Sequence, residues 1–366
     1  FSMTKAAELA KMGEVLTNSQ IGGRRNMVIN GGCQIDQRNS GSEVIPANND
    51  YFIDRFRYNA SQASKLKVQQ NAQVISPPEG FSHYLGVTVH SNHTVASSDF
   101  FFLTYFVEGF DSAHLNFGKS TAKTITISFY VQSSVTGTFS GSLLNASENR
   151  AYPYTYTISS ANTWERKTIT IAGDTTGTWV GGTNGRGLMI TFSLGMGSNF
   201  TGTAGQWNAS DDYGATGENV KFVENASAQW KITGVQLEVG SQATPFEHRS
   251  FGEELFLCQR YFRDLCSGIN GSVLSLVTHY ATTNAVGTFV LSPPMRTTPT
   301  AIAVSSASHF TTYSAAAARV CSALATDSFA PNIARMTASI SSITAGYSGW
   351  IQPNTTSATM QITAEL

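Results

Sequence analysis

Charge is what this 366-residue chain has least of. Asp, Glu, Lys and Arg together make up 13% of it, and the formal net charge is −1. That density leaves no basic face for a phosphate backbone or an anionic lipid surface, so no nucleic-acid partner is expected. Cysteine is also scarce: Cys33, Cys258, Cys266 and Cys321 are widely scattered and none forms a C-x-x-C pair. This excludes a disulfide framework and a thiolate zinc site. No run of 18 apolar residues occurs, so neither a membrane-spanning helix nor membrane insertion is expected. No basic stretch leads into an apolar one at the start, so no secretory leader is expected either. No segment recurs with a period of 20–50 residues, which disfavours a solenoid or a parallel β-helix. The motifs G-x-S-x-G and H-E-x-x-H and the phosphate-binding loop are missing.

What is present is glycine (32 residues), Ser, Thr and Asn, with 11% aromatics. Aromatic and β-branched residues in such number argue for folded β-structure over disorder. Thr4–Leu16 is the one helical stretch near the start, with Leu9, Met12 and Leu16 forming a short coiled-coil-like seam. Two heptads are too few to be stable alone, so this segment reads as a frayed helix or as an anchoring peg. From Asn26 the pattern turns to strands. Asn26–Gly32 reads as one strand and Tyr51–Phe56 as another. Ile125, Ile127, Phe129 and Val131 alternate with polar residues, as do Leu188, Ile190, Phe192 and Leu194. Trp230 and Ile232 share one phase while Val235, Leu237 and Val239 take the other, so Gly234 marks a β-bulge. With no helical period between them, these strands predict an antiparallel jelly-roll sandwich over 26–245.

Pro245 then enforces an extended exit. Ser250-Phe251-Gly252-Glu253 matches a helix capping box, followed by Phe251, Leu255, Cys258, Phe262 and Leu265 on one helical face. That gives a linker helix within 246–270. Strands resume afterwards, at Ser272–Thr278, Ala285–Leu291 and Thr300–Ser305 among others, and predict a second, smaller β-sandwich domain over 271–366. The expected fold class is therefore all-β, with segment 1–25 as a helical anchor.

Several pieces occur in an order that resembles a module of bacteriophage tail-fibre and related virion adhesin proteins. They include Arg25–Gly31, Tyr51–Phe56, Thr124–Val131, Asn162–Glu165, the junction Ile232–Gly240 (ITGVQLEVG), Ala243–Glu247 (ATPFE) and Cys258–Tyr261 (CQRY). Order and spacing hold across 25–262, about two-thirds of the chain. The resemblance implies a jelly roll like those of carbohydrate-binding modules, in a homotrimeric virion fibre or spike that attaches to a host through a bacterial surface glycan, lipopolysaccharide or capsule. It implies contact with other virion proteins through the N-terminal segment, synthesis in the host cytoplasm and residence in the virion. An enzymatic tailspike that depolymerises surface polysaccharide is the alternative, and a non-binding structural decoration protein is a third.

Sugar recognition needs flat aromatic faces beside short polar side chains. Trp179 and Trp207 lie in Gly/Asn/Thr/Ser-rich segments and are candidate platforms, with capping of the sandwich core as the competing reading. Tyr313, Tyr347 and Trp350 are candidates in the C-terminal domain, whereas Trp164 and Trp230 read as core. A structural Ca²⁺ is common between the first and last strands of such jelly rolls, which points to Asn30 and Glu238; a hydrogen-bonded Glu238 is the plainer reading. Asp211-Asp212 and Glu247-His248 are the only pairs that suggest catalysis. Adjacent side chains on an extended strand diverge, so no catalytic residue is expected and the chain reads as a non-enzyme.

Overall fold

The computed structural model describes residues 25–266, 270–299, 302–314 and 317–366. The helical stretch expected over Thr4–Leu16 lies outside them. The chain divides into two compact units, one up to Phe251 and the other Gly252–Glu365. Both are built almost wholly of antiparallel strands.

The first unit carries β1 (Tyr51–Ile53), β2 (Phe56–Ala60), β3 (Leu66–Gln70), β4 (Leu85–Val89), β5 (Phe100–Glu108), β6 (Ile125–Ser133) and β7 (Gly137–Asn145). These are followed by β8 (Ala151–Ile158), β9 (Glu165–Ile171), β10 (Arg186–Met196), the two-residue strands β11 (Thr201–Gly202) and β12 (Gly214–Ala215), and β13 (Gln229–Val239). A six-stranded sheet in the order β1-β2-β5-β10-β7-β8 faces a five-stranded sheet in the order β3-β4-β13-β6-β9. The chain crosses between the sheets repeatedly, as a jelly roll requires. The alternating residues meet in one core: Ile125, Ile127, Phe129 and Val131 from β6 pack with Leu188, Ile190, Phe192 and Leu194 from β10. Each such side chain, fully withdrawn from water, contributes about 1.5–3 kcal/mol.

The bulge on β13 is where expected. Its register against β6 slips between Thr233 and Gln236, and Gly234 has φ +62°. The slip places Trp230 and Ile232, then Val235 and Leu237, on the same buried side. Asn26–Gly32 does not form the strand its pattern suggested. It runs beside the bulge as an irregular segment: Val235 N–H donates to Gly31 O (2.9 Å) and Met27 N–H to Leu237 O (2.9 Å). The Asn26 amide bridges Val235 O (3.1 Å) and Leu237 N–H (3.0 Å). Side-chain and backbone bonds thus replace a regular ladder where the bulge breaks it. Tyr51–Phe56 likewise splits into a hairpin, because Arg55 takes a left-handed turn (φ +73°) between β1 and β2.

The helix Phe251–Cys258, all but its first residue, opens the second unit. Its strands are β14 (Phe262–Asp264), β15 (Ser275–Ala281), β16 (Asn284–Val290), β17 (Ile302–Val304), β18 (Phe310–Ser314), β19 (Ala318–Ala330), β20 (Ile333–Ile340), β21 (Ser348–Pro353) and β22 (Met360–Thr363). The helix is two turns long, shorter than its apolar spacing predicted. Phe262, read as helical, instead pairs with Thr363 in a three-stranded sheet ordered β14-β22-β17, which satisfies its backbone by a ladder. The remaining six strands close into a barrel, β15-β16-β20-β19-β18-β21. All four cysteines are buried free thiols. Burial pushes Cys266 and Cys321 up to about 12, so neither is a reactive thiolate at neutral pH.

Candidate functional site

Trp179 and Trp207 meet. Their ring centroids lie 5.3 Å apart at an interplanar angle of 83°, and Phe117 stands edge-on to both, at 4.9 and 5.8 Å. Tyr152 joins at 5.3 Å from Trp207. The Trp179 indole N–H donates to Asp174 Oδ2 (3.2 Å) and Thr176 O (3.1 Å), and the Trp207 N–H to Ala172 O (2.8 Å). Both rings are half-buried against the sandwich core. Trp179 also lines a cleft of 250 Å³ together with Phe117 and Asn116. Of the other three tryptophans, Trp350 lies in the second unit, Trp230 is fully buried, and Trp164 is half-buried with its N–H on Ser76 O (3.0 Å).

In the barrel, Tyr313 on β18 and Trp350 on β21 are direct cross-strand partners and stack at 5.4 Å with an interplanar angle of 8°. Leu276 pairs with Trp350 from the other side and is 77% exposed. Tyr347 is exposed just before β21.

Asn30 and Glu238 serve separate local structures. The Asn30 amide donates to Ile35 O (2.8 Å) and Asp54 O (3.0 Å), and its oxygen accepts from Ile35 N–H (2.9 Å). Glu238 accepts from Gln236 Nε2 (2.8 Å), Thr244 N–H (2.9 Å) and Thr244 Oγ1 (2.6 Å), with Arg25 Nε at 3.4 Å. The Glu238 carboxylate is thus hydrogen-bonded within the exit segment, as its plainer reading expected, and Asn30 is bonded within its own loop. Glu247 and His248 diverge as their extended backbone dictates. Glu247 accepts the N–H groups of Arg25 and Asn26, both at 2.7 Å, while the His248 ring packs on Phe81 and Phe246. Asp212 is buried and accepts from Ser210 Oγ, while its neighbour Asp211 is exposed.

A further concavity in the first unit comes from residues not singled out in the sequence. β5 begins Phe100-Phe101-Phe102-Leu103-Thr104-Tyr105-Phe106, so both of its faces are aromatic. Phe101, Leu103, Tyr105 and Val107 enter the core. Phe100, Phe102 and Phe106 take the opposite phase, on the outer side of the six-stranded sheet. The chain that links β10 to β13 lies across that side. Tyr213 stacks on Phe102 (5.0 Å, 13°), and Phe200 stands edge-on to Phe100 (5.6 Å, 90°). Thr191 Oγ1 pins the crossing segment through Tyr213 O (2.7 Å). Between this aromatic wall and the 47–50 loop runs a groove of 460 Å³, whose polar lining is Asn48, Asn49, Asn59, Arg57, Arg186 and Glu148.

The groove's hydrogen bonds are partly internal. Asn59 donates to Asn49 Oδ1 (2.9 Å) and accepts from Thr104 Oγ1 (2.8 Å) and Arg57 Nε (3.3 Å). Asn48 Oδ1 accepts from Ala60 N–H (3.1 Å). The amide N–H₂ groups of Asn48 and Asn49, both exposed residues, remain as outward donors. Tyr213 donates its hydroxyl to Glu148 Oε2 (2.6 Å); burial and this bond raise its pKa, so the phenol stays neutral. Burial, with Arg186 as a second cation nearby, lowers the pKa of Arg57. The signal for this site was available in the sequence: a strand aromatic on both phases, within a sheet covered on one side only by the partner sheet, needs a second cover or a ligand.

No known family profile matches the chain, and no curated protein does. Among solved structures, the enzymatically active domain of Bacteriophage CBA120 tailspike protein 4 aligns over 59% of this chain and 21% of its own, at 12% identity and a TM-score of 0.31. TmCBM61, in complex with β-1,4-galactotriose, aligns over 60% of this chain and all of its own, at 13% identity and 0.30. A family 11 carbohydrate-binding module from Clostridium thermocellum, in complex with a β-1,3-1,4-mixed-linked tetrasaccharide, aligns over 56% and 98%, at 12% identity and 0.26. This chain therefore spans about a fifth of the tailspike chain. TM-scores this low carry no functional weight.

Proposed function

We propose that the groove beside β5 binds a bacterial surface glycan, and that the chain is a virion fibre or spike protein that attaches a phage to its host. Tyr213, half-buried over Phe102 and lining the same groove as the exposed Asn48 and Asn49, carries this reading. It joins an apolar ring surface to hydrogen-bond donors within one concavity, the combination sugars require. The ordered tail-fibre-like segments over 25–262 support the viral setting, the trimer and the N-terminal virion contact. Recognition without cleavage is the proposed activity. Glu148 is the only carboxylate among the groove-lining residues, and it is already held by Tyr213, whereas glycoside hydrolysis generally employs two carboxyl groups. Single protein–sugar sites bind weakly, and three linked copies would raise the effective affinity without new contacts.

A second reading places recognition on the barrel, where the parallel Tyr313–Trp350 pair sits beside exposed Leu276. One cell-binding experiment separates the two. Tyr213→Ala is expected to lower retention on host cells by about tenfold, as loss of a central aromatic contact does, while Trp350→Ala leaves it unchanged. The reverse outcome would transfer the site to the barrel. Release of reducing ends from host polysaccharide would establish a depolymerase instead.

A further inference from the structure

The arginine end of the groove is more particular than a neutral sugar requires. Two guanidinium groups share one aromatic ring: Arg57 Cζ lies 4.6 Å from the Phe106 centroid and Arg186 Cζ 4.3 Å from it. Stacking on Phe106 holds both cations in place while leaving their N–H edges directed away from the ring. Only one carboxylate attends them. Glu148 Oε1 is 3.6 Å from Arg186 Nη1, a loose pair, and its Oε2 is taken by the Tyr213 hydroxyl. Among the described residues no carboxylate comes within ion-pair distance of Arg57, whose one hydrogen bond, at 3.3 Å, goes to a neutral amide. Both arginines line the groove and both are half-buried, so the excess positive charge is partly withdrawn from water. In a chain with so little charge, two converging cations against one carboxylate form an unbalanced site that an incoming anion would complete.

We propose that this end of the groove takes the carboxylate of a hexuronic-acid residue in an acidic polysaccharide, while a neighbouring sugar lies against the Phe102–Tyr213 stack. A planar carboxylate matches the fork of a guanidinium, and its single negative charge equals the one the site lacks. The inference rests on the glycan reading above and narrows it to acidic glycans. Arg57 and Arg186 are specificity-determining residues, and Glu148 sits beside Arg186 at the same end of the groove.

The test uses the full-length chain on an array of bacterial surface polysaccharides. Each uronate-containing member is printed beside its carboxyl-reduced form, in which the acid has become a neutral hydroxymethyl group with the backbone unchanged. Uronate-bearing polymers are expected to bind about tenfold more tightly than their reduced partners, as one charge-assisted hydrogen-bond pair provides, with the preference shrinking as salt is raised. Arg57→Gln should abolish that preference, so that uronate-bearing and carboxyl-reduced polymers bind the variant equally. Equal binding to both forms, independent of salt, overturns the acidic assignment and leaves the glycan reading standing. Retention only on sulfated or phosphorylated polymers overturns the carboxylate in favour of those esters. No retention on any polymer overturns both readings. The salt dependence of the unmutated protein decides the matter if Arg57→Gln fails to fold.

Discussion

At the residue scale, several of this protein's few charges act locally, tied to particular turns. Asp99, at the start of β5, accepts from Ser61 Oγ (2.8 Å), Gln62 Nε2 (3.2 Å) and Ala96 N–H (3.0 Å), with His93 Nε2 at 2.8 Å. Burial opposes its ionisation, but those bonds outweigh it and hold the carboxyl well below its ordinary range. A carboxyl depressed in the folded state stabilises the protein above its unfolded pKa, near 4, and that contribution is lost as pH falls toward the folded value. Asp174 acts with the same sign: burial again opposes, and the Arg150 guanidinium at 2.7 and 2.8 Å prevails. Melting temperature is therefore expected to drop between about pH 5 and pH 2. Asp99→Asn should melt lower than the parent at neutral pH and lose less on acidification. Parallel curves for the two proteins would remove Asp99 from the account.

At the scale of elements, the bulge on β13 organises the junction that distinguished the chain. Gly234 is left-handed, and a Cβ there would stand 2.6 Å from Phe81 Cζ. Phe81 in turn packs on Phe246 at 5.0 Å, so the bulge, the 81 loop and the exit after β13 form one packed joint. The exit is clamped further by Glu247 on the Arg25 and Asn26 amides and by Arg249, which donates to Asn26 O and Val28 O. Gly234→Ala should destabilise the protein by about 2 kcal/mol or more, combining backbone strain with a clash, and lower the urea midpoint at constant slope. Gly182, at a matching positive φ (+66°) with no atom within 4 Å of an added Cβ, supplies the control. Gly182→Ala should cost only the backbone share. Equal losses at both positions would show that packing at Phe81 contributes nothing.

At the scale of the whole molecule, the proposed attachment role requires several copies. Light scattering at micromolar concentration is expected to return a trimer, and a mass near 39.3 kDa would overturn it. Much of the architecture was legible without coordinates. The period-two strands Ile125–Val131 and Leu188–Leu194 and the phase switch at Gly234 each declare which side faces the core, because burial of alternate residues is a local property of a strand. Segments held by side-chain bonds were less legible: Asn26–Gly32 carries a strand's composition but takes its hydrogen bonds from a bulge two hundred residues away. Phe262 carries a helical spacing but finds a ladder partner in Thr363. The groove was least legible, since Phe100, Phe102 and Tyr213 look like core residues until the crossing segment is placed. The sequence by itself thus determined the β-class, the sandwich core and the joint, through local periodicity and turn chemistry. Only the tertiary structure decided that Tyr213 covers Phe102 and that Arg57 and Arg186 converge on Phe106, because those contacts join residues far apart in the chain.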